Sequence, residues 1–234
     1  MDSSLPQHVA FIVDGNRRWA KLHHQPFIAG HSYVANKTLD NLIFHCLKLG
    51  ISYVTFWAFS TENWQRGKLF TPALFNLLEE VLTKDLTQYN KAGIRLNTIG
   101  DLTKLPPNLV RAIEKQKIIS RQNTKLVATM ALNYGGRDEI IRAIKKMVDE
   151  KDCNPQAMSK ITEAEFSKYL DTADLPDPDL IIRTGGAQRL SGYLLWQSQY
   201  SELYFTNILM PDFTTADFDK ALEDYKQRQR RFGK

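Results

Sequence analysis

An α/β fold built on a mainly parallel sheet is what this 234-residue sequence predicts, and three observations carry it. Short runs rich in Val, Ile, Phe and Tyr recur along the chain, as expected of buried strands. Each run stops abruptly in small, polar or charged residues. The intervals between runs hold helical patterns long enough for the right-handed crossovers that parallel neighbours require.

The first strand, Val9 to Val13, ends in Asp14-Gly15-Asn16, and Arg17, Arg18 and Trp19 follow at the start of a helix. Two readings fit this segment. In one, Asp14 caps the helix and the arginines are solvated. In the other the turn is an anion site: Gly15 allows close backbone approach, while the guanidiniums and the helix amides favour negative charge. A carboxylate among them suits a divalent metal that bridges to the anion, and diphosphate with magnesium is the natural pair. The next helix spans Thr38 to Leu49, with Leu39, Leu42, Ile43, Cys46 and Leu47 at helical spacing.

A second strand, Tyr53 to Phe59, leads into Ser60-Thr61-Glu62-Asn63-Trp64-Gln65-Arg66. Thr71 then reads as an N-cap with Pro72 in the first helical position. Leu74, Leu77, Leu78, Val81 and Leu82 form one apolar face, widened by Phe75 and Leu86. That face either packs into the core or borders an apolar cavity opening at the polar strand ends. Leu96 to Ile99 ends in Gly100-Asp101, and Leu126 to Leu132 ends in Asn133-Tyr134-Gly135-Gly136-Arg137. The polar stretch Asp149 to Ser159 reads as a surface connection between helices. Leu180 to Ile182 leads into Arg183-Thr184-Gly185-Gly186, with Arg189 and Ser191 just beyond. Parallel strands would gather Asp14, Asn63, Arg66, Arg183 and Arg189 at one sheet edge, where open α/β sheets bind ligands.

Lys and Arg total 31 against 26 for Asp and Glu, a mild and dispersed excess of +5. It permits acidic small molecules or anionic lipid surfaces, and no basic stripe with interleaved aromatics points to nucleic acid. Cys46 and Cys153 have no metal-binding spacing and read as free thiols in a reducing compartment. The N-terminal residues lack a signal-peptide pattern, and no apolar run approaches the roughly 20 residues of a membrane span. A soluble, cytoplasmic protein able to touch a membrane surface is expected. Neither GxGxxG nor GxxxxGK[ST] occurs, which disfavours a nucleotide-binding domain.

The segments HVAFIVDGNRRWA, GHSYVANKTL, FWAFSTENWQR, IGD, LNYGGRDEI, LIIRTGGAQRLSGYLLWQ, ELYF and RRFG, in that order, resemble the cis-prenyltransferases over essentially the whole chain. The resemblance implies a single domain with six mainly parallel strands, surrounded by helices, with an apolar tunnel over the sheet. It implies a homodimer and Mg2+-dependent condensation of isopentenyl diphosphate with an allylic diphosphate such as farnesyl diphosphate. The product would be a Z-polyprenyl diphosphate of medium, undecaprenyl-like length. A short-chain or irregular synthase is the alternative within the family, and a non-catalytic partner subunit is disfavoured because Asp14 and Asn63 are both present.

Carried over by position, Asp14 is metal-linked and catalytic, and Gly15, Asn16, Arg17 and Arg18 wrap the allylic diphosphate with Trp19 and His31 alongside. Ser60, Thr61 and Glu62 line the reaction zone, Asn63 lies near the departing proton, and Trp64 and Arg66 build the pocket. Arg183, Arg189, Leu190 and Ser191 hold isopentenyl diphosphate, Glu202 helps hold Mg2+, and Arg231 and Gly233 belong to an RxG element at the C-terminal end. The sequence departs from the family pattern in several places. Arg17 replaces a common glycine, Phe27 an arginine, and Ala187-Gln188 a Glu-His pair. The segment SYVANKT lacks a usual glycine and is one residue longer.

Overall fold

The computed structural model describes residues 5–67, 69–84, 86–150, 159 and 161–228, and of Arg66 the backbone alone. Six strands form one sheet: β1 (His8–Ile12), β2 (Tyr53–Ser60), β3 (Ile94–Ile99), β4 (Leu126–Tyr134), β5 (Leu180–Arg183) and β6 (Glu202–Phe205). Their order is β3-β4-β2-β1-β5-β6, and every neighbouring pair is parallel. All C-terminal strand ends therefore lie on one edge. The parallel architecture and the five strands read from apolar runs are as expected, with ends shifted by one or two residues.

Strand β1, HVAFI, is buried at every position, as a central strand covered on both faces must be. Alternation still sorts its side chains. Val9 and Phe11 join one core with Leu42 and Cys46 of helix α3 (Leu39–Leu49), while Ala10 and Ile12 pack on the other face with Tyr193 and Leu194. Phe11 and Phe56 stack at 5.0 Å, locking β1 to β2.

The crossover from β1 to β2 contains α1 (Asn16–Leu22), α2 (Ala29–Tyr33), a π-helical turn (Val34–Thr38) and α3. From Ala29 to Leu49 these run without a break, so the expected helix from Thr38 is the last part of a longer one. Strand β2 passes into a 3-10 turn (Thr61–Arg66) and helix α4 (Phe70–Thr83); α5 (Thr87–Ala92) precedes β3. The expectation of a Thr71 N-cap does not hold: the helix starts at Phe70, after Leu69. Buried Phe70 draws the start back, and Pro72 still fits because the first helical amides need no intrahelical acceptor.

Helix α6 (Pro107–Ser120) leads to β4 and α7 (Gly136–Glu150); α8 (Glu163–Ser167) precedes β5, and α9 (Thr215–Gln227) follows β6. Most of the expected connection from Asp149 to Ser159 lies outside the described residues, as does Cys153. Cys46 is a buried free thiol. Among the described residues, no helix is long and apolar enough to cross a membrane.

Candidate active site

The carboxylate of Asp14 sits two residues beyond β1, between two guanidinium groups. Arg183 Nη2 donates to its Oδ2 at 3.0 Å and Arg18 Nη2 to its Oδ1 at 3.3 Å. The Asp14 backbone is fixed as tightly: Thr184 Oγ1 accepts from its amide at 3.0 Å and lies 2.8 Å from its carbonyl oxygen, which also accepts from the Met210 amide at 3.0 Å. Gly15, not Asp14, is the N-cap of α1, with φ at +106°. A Cβ there would meet Leu209 at 2.8 to 3.0 Å, so glycine satisfies both the turn and the packing.

Arg183, only 6% exposed, ends β5 level with Ile12 of β1. Its Nη1 donates to the Arg189 carbonyl and to Ser191 Oγ, the latter at 2.9 Å, while Nε is buried without a partner. Asn16 is also buried, and its Oδ1 has no hydrogen-bond partner. Buried polar atoms are rarely left this way, and here they border a cavity. His31 reaches the same cavity because Gly30 lies against the Asn16 carbonyl, where a Cβ would come within 2.1 Å.

Asn63 is held by a capping box at the end of β2: Ser60 accepts from the Asn63 amide, and Asn63 Oδ1 accepts from the Ser60 amide at 3.3 Å. The bond fixes the carboxamide's orientation and leaves its Nδ2 donor for a ligand. Beside this turn, Trp64 Nε1 donates to Asn133 Oδ1 at 2.7 Å. Behind Asn133, Tyr134 and Gln197 donate to Glu139, whose carboxyl is shifted upward by burial despite those bonds. Burial also opposes ionisation of Asp171, but hydrogen bonds from Arg142 prevail and hold it below the usual carboxylate range.

The cavity at this edge measures 560 Å3 and is lined by Asp14, Gly15, Asn16, Arg17, Arg18, His31, Ser60, Glu62, Asn63, Arg183, Arg189 and Ser191. The structure thus brings together residues from the first third and the last quarter of the chain. It does not bring all the expected ones. Trp19 faces a separate groove, where Nε1 donates to Asp212 at 2.7 Å and the indole stacks on His23. Thr61 packs against Gly135, Trp64 sets its edge against Phe59 and Phe75, and Leu190 joins the core with Tyr193. The Arg66 side chain, Arg231 and Gly233 lie outside the described residues.

Glu202 stands apart from Asp14 within one chain. It opens β6 level with Leu180, three residues before the Arg183 end of β5, hence roughly 10 Å back along the sheet. There it pairs with Arg228 at 3.0 Å. Among the described residues, no cluster of three His, Cys, Asp or Glu side chains could hold a metal. What remains suits Mg2+ held by one carboxylate, water and the ligand's own phosphate oxygens, the usual manner of that ion. The unpartnered oxygen of Asn16 fits such a polar, ligand-completed site.

Sequence reading missed Thr184 and Asn133, which position Asp14 and Trp64. It also missed Ile12, Val13, Trp57 and Phe70 as cavity walls, whereas Ala58, a small residue just before the reaction loop, does line the cavity as its position suggests. Thr184 stands in the same turn as Arg183, and that adjacency was the available signal. The cavity continues inward. A neck of 40 Å3 shares Val13, Asn16, His31 and Ala58 with it, and shares Ala35, Leu39, Leu78 and Met130 with a distal, largely apolar cavity of 440 Å3.

Comparison with known proteins agrees with this architecture. The undecaprenyl diphosphate synthase family model matches residues 12–233. An isoprenyl transferase of Aquifex aeolicus is 44% identical, covering all of this chain and 98% of that protein. One from Clostridium perfringens is 42% identical over the whole chain and 92% of its own length. Among solved structures, lavandulyl diphosphate synthase from Lavandula x intermedia, in complex with dimethylallyl diphosphate, superposes with a TM-score of 0.93 at 37% identity, with full coverage of both chains. A probable undecaprenyl diphosphate synthase of Campylobacter jejuni gives 0.81 at 35% identity, covering 98% of this chain and 99% of that one. The six-stranded parallel sheet, the arginine-flanked aspartate at its edge and these full-length matches lead to one conclusion: the chain belongs to the undecaprenyl diphosphate synthase family of prenyltransferases.

Proposed function

We propose that the protein condenses isopentenyl diphosphate with an allylic diphosphate such as farnesyl diphosphate, giving a medium-length Z-polyprenyl diphosphate. One observation carries this reading: an arginine-lined polar cavity opens through a narrow neck into an apolar one. That pairing matches a substrate with a diphosphate head and a growing hydrocarbon tail.

In this scheme Arg17, Arg18 and Asn16 hold the allylic diphosphate as its C–O bond breaks. Arg183, Arg189 and Ser191 clamp the second diphosphate and aim its double bond at the allylic carbon, which lowers the barrier by fixing orientation. A new C–C bond forms and one proton leaves. With its carboxamide oriented by the Ser60 amide and neutral carboxamides being weak bases, Asn63 acts through Nδ2, orienting a diphosphate oxygen that takes the proton. Asp14 would hold Mg2+, which would supply charge neutralisation for the leaving diphosphate. A homodimer and peripheral contact with anionic lipid at product release complete the reading.

A short-chain or irregular coupling is the second reading, favoured by the TM-score of 0.93 to lavandulyl diphosphate synthase. Incubation with isopentenyl diphosphate, Mg2+ and dimethylallyl, geranyl or farnesyl diphosphate, followed by mass analysis, separates the two. A ladder of products from farnesyl diphosphate supports the first reading. A single ten-carbon product from dimethylallyl diphosphate supports the second, and no condensation with any primer rejects both.

A further inference from the structure

The π turn Val34–Thr38 interrupts an otherwise α-helical run from Ala29 to Leu49. It falls in the segment SYVANKT, for which the resemblance implies one added residue, and a wide turn is how a helix absorbs one. Such turns are costly to retain without a reason, and the channel supplies one.

The cavity walls contributed by this helix fall every four residues. His31 borders the mouth and the neck, Ala35 and Leu39 border the neck and the distal cavity, and Ile43 borders the distal cavity. A regular α-helix turns about 100° per residue, so twelve residues would leave Ile43 about 120° away from the His31 face. Absorbing one residue in the π turn removes about 100° of that, leaving a misalignment of about 20°. The turn is what keeps four channel-facing positions on one stripe. Both sides of it are anchored: Gly30 sits against the Asn16 carbonyl, and Leu42 and Cys46 are fully buried in the core. Within the turn itself, Asn36 Oδ1 accepts from Lys84 Nζ at 2.6 Å, tying it to the C-terminal end of α4 across the distal cavity that both residues border.

We propose that this π turn is the product-length determinant of the reaction: it makes the Ala35–Leu39–Ile43 stripe the wall along which the prenyl chain grows. The inference rests on the condensation proposed above. Ala35 is the smallest side chain of the stripe and, like Leu39, borders both the neck and the distal cavity.

The test compares products of the unsubstituted protein, Ala35→Phe, Leu39→Phe and a deletion of Asn36, each given farnesyl diphosphate, Mg2+ and excess isopentenyl diphosphate. Ala35→Phe should cut full-length product roughly tenfold or more in favour of shorter chains, as overpacking a narrow passage implies. Leu39→Phe should shorten the products less, since it lies one turn further along. Removing Asn36 restores the α-helical phase, rotates one half of the stripe and should alter the length distribution. Thermal melting identifies any variant that fails to fold, and the two Phe variants decide the matter if the deletion is lost. Unchanged lengths in the folded variants, or a stronger effect at Leu39 than at Ala35, overturn the inference alone. Absence of any product from the unsubstituted protein overturns the proposed reaction, and the length determinant with it.

Discussion

The two ends of β1 are both polar and both buried in part, yet they are built on opposite plans. At the N-terminal end the His8 ring is 2% exposed and fully partnered. Its Nδ1 faces only a carbonyl acceptor, Pro176 O at 2.7 Å, so Nδ1 carries the proton and Nε2 accepts from Thr55 Oγ1 at 2.8 Å. Asp179 accepts from the Gln7 and His8 amides at 2.7 and 3.0 Å. At the C-terminal end, Asn16 Oδ1 and Arg183 Nε are buried without partners. Completed hydrogen bonding marks an end that only has to be stable, and incomplete bonding marks an end prepared for a ligand.

Three experiments would break or sharpen this contrast. Asp14→Asn keeps an oxygen for Arg183 but removes the charge. Steady-state turnover should fall about 10²–10³-fold, the range for loss of one preorganised electrostatic group. Stability measured by denaturant should fall as well, by about 1–3 kcal/mol, because buried Arg183 keeps an acceptor but loses its counter-charge. Near-normal turnover would remove Asp14 from the chemistry.

At the other end the effect should be on stability alone. Burial, which outweighs the Pro176 hydrogen bond and the Asp179 charge, pushes the His8 pKa down to about 4. Between pH 6.5 and about 4 the unfolded chain therefore binds a proton that the folded one does not, and stability falls as pH falls through that window. Comparing wild type with His8→Gln by urea denaturation at pH 7 and pH 4.5 should show their stability gap narrowing by about 2–3 kcal/mol on acidification. A gap independent of pH would mean that His8 is not held neutral.

The smallest effect concerns the rim. Arg17 is exposed and lines the mouth, and Phe27 packs at 6.3 Å from Phe70, another mouth residue. Arg17→Gly should weaken primer binding, and Phe27→Arg should restore part of it. A double-mutant cycle should give a coupling of at least about 0.5 kcal/mol. Strict additivity would reduce Phe27 to a wall.

The charged strand ends were legible because arginines and an aspartate interrupt apolar runs that would otherwise read as buried. Their pairing was not, since Arg183 and Asp14 stand 169 positions apart and only the β1–β5 register joins them. Strand β6 has four residues, all of them half-buried, and it emerged from the resemblance rather than from any apolar run. The greasy faces of α3 and α4 were visible as patterns, but a pattern does not distinguish a filled core from a channel. The π turn leaves no mark in hydrophobic spacing at all, because it changes the phase of a helix and not its composition. The resemblance links Glu202 to the metal, but motif position carries no information about which end of a strand a residue occupies.

The loop that follows β6 acts as a clasp on the site. Leu209 presses on Gly15, the Met210 amide binds the Asp14 carbonyl, and Asp212 accepts from the Trp19 indole. The tip of the first strand is therefore closed by a loop far along the chain, 193 positions separating Trp19 from Asp212. Such long-range closure is entropically expensive and slow. A chain cut before this loop would hold every residue of the DGNRR turn yet lack the clasp that shapes it.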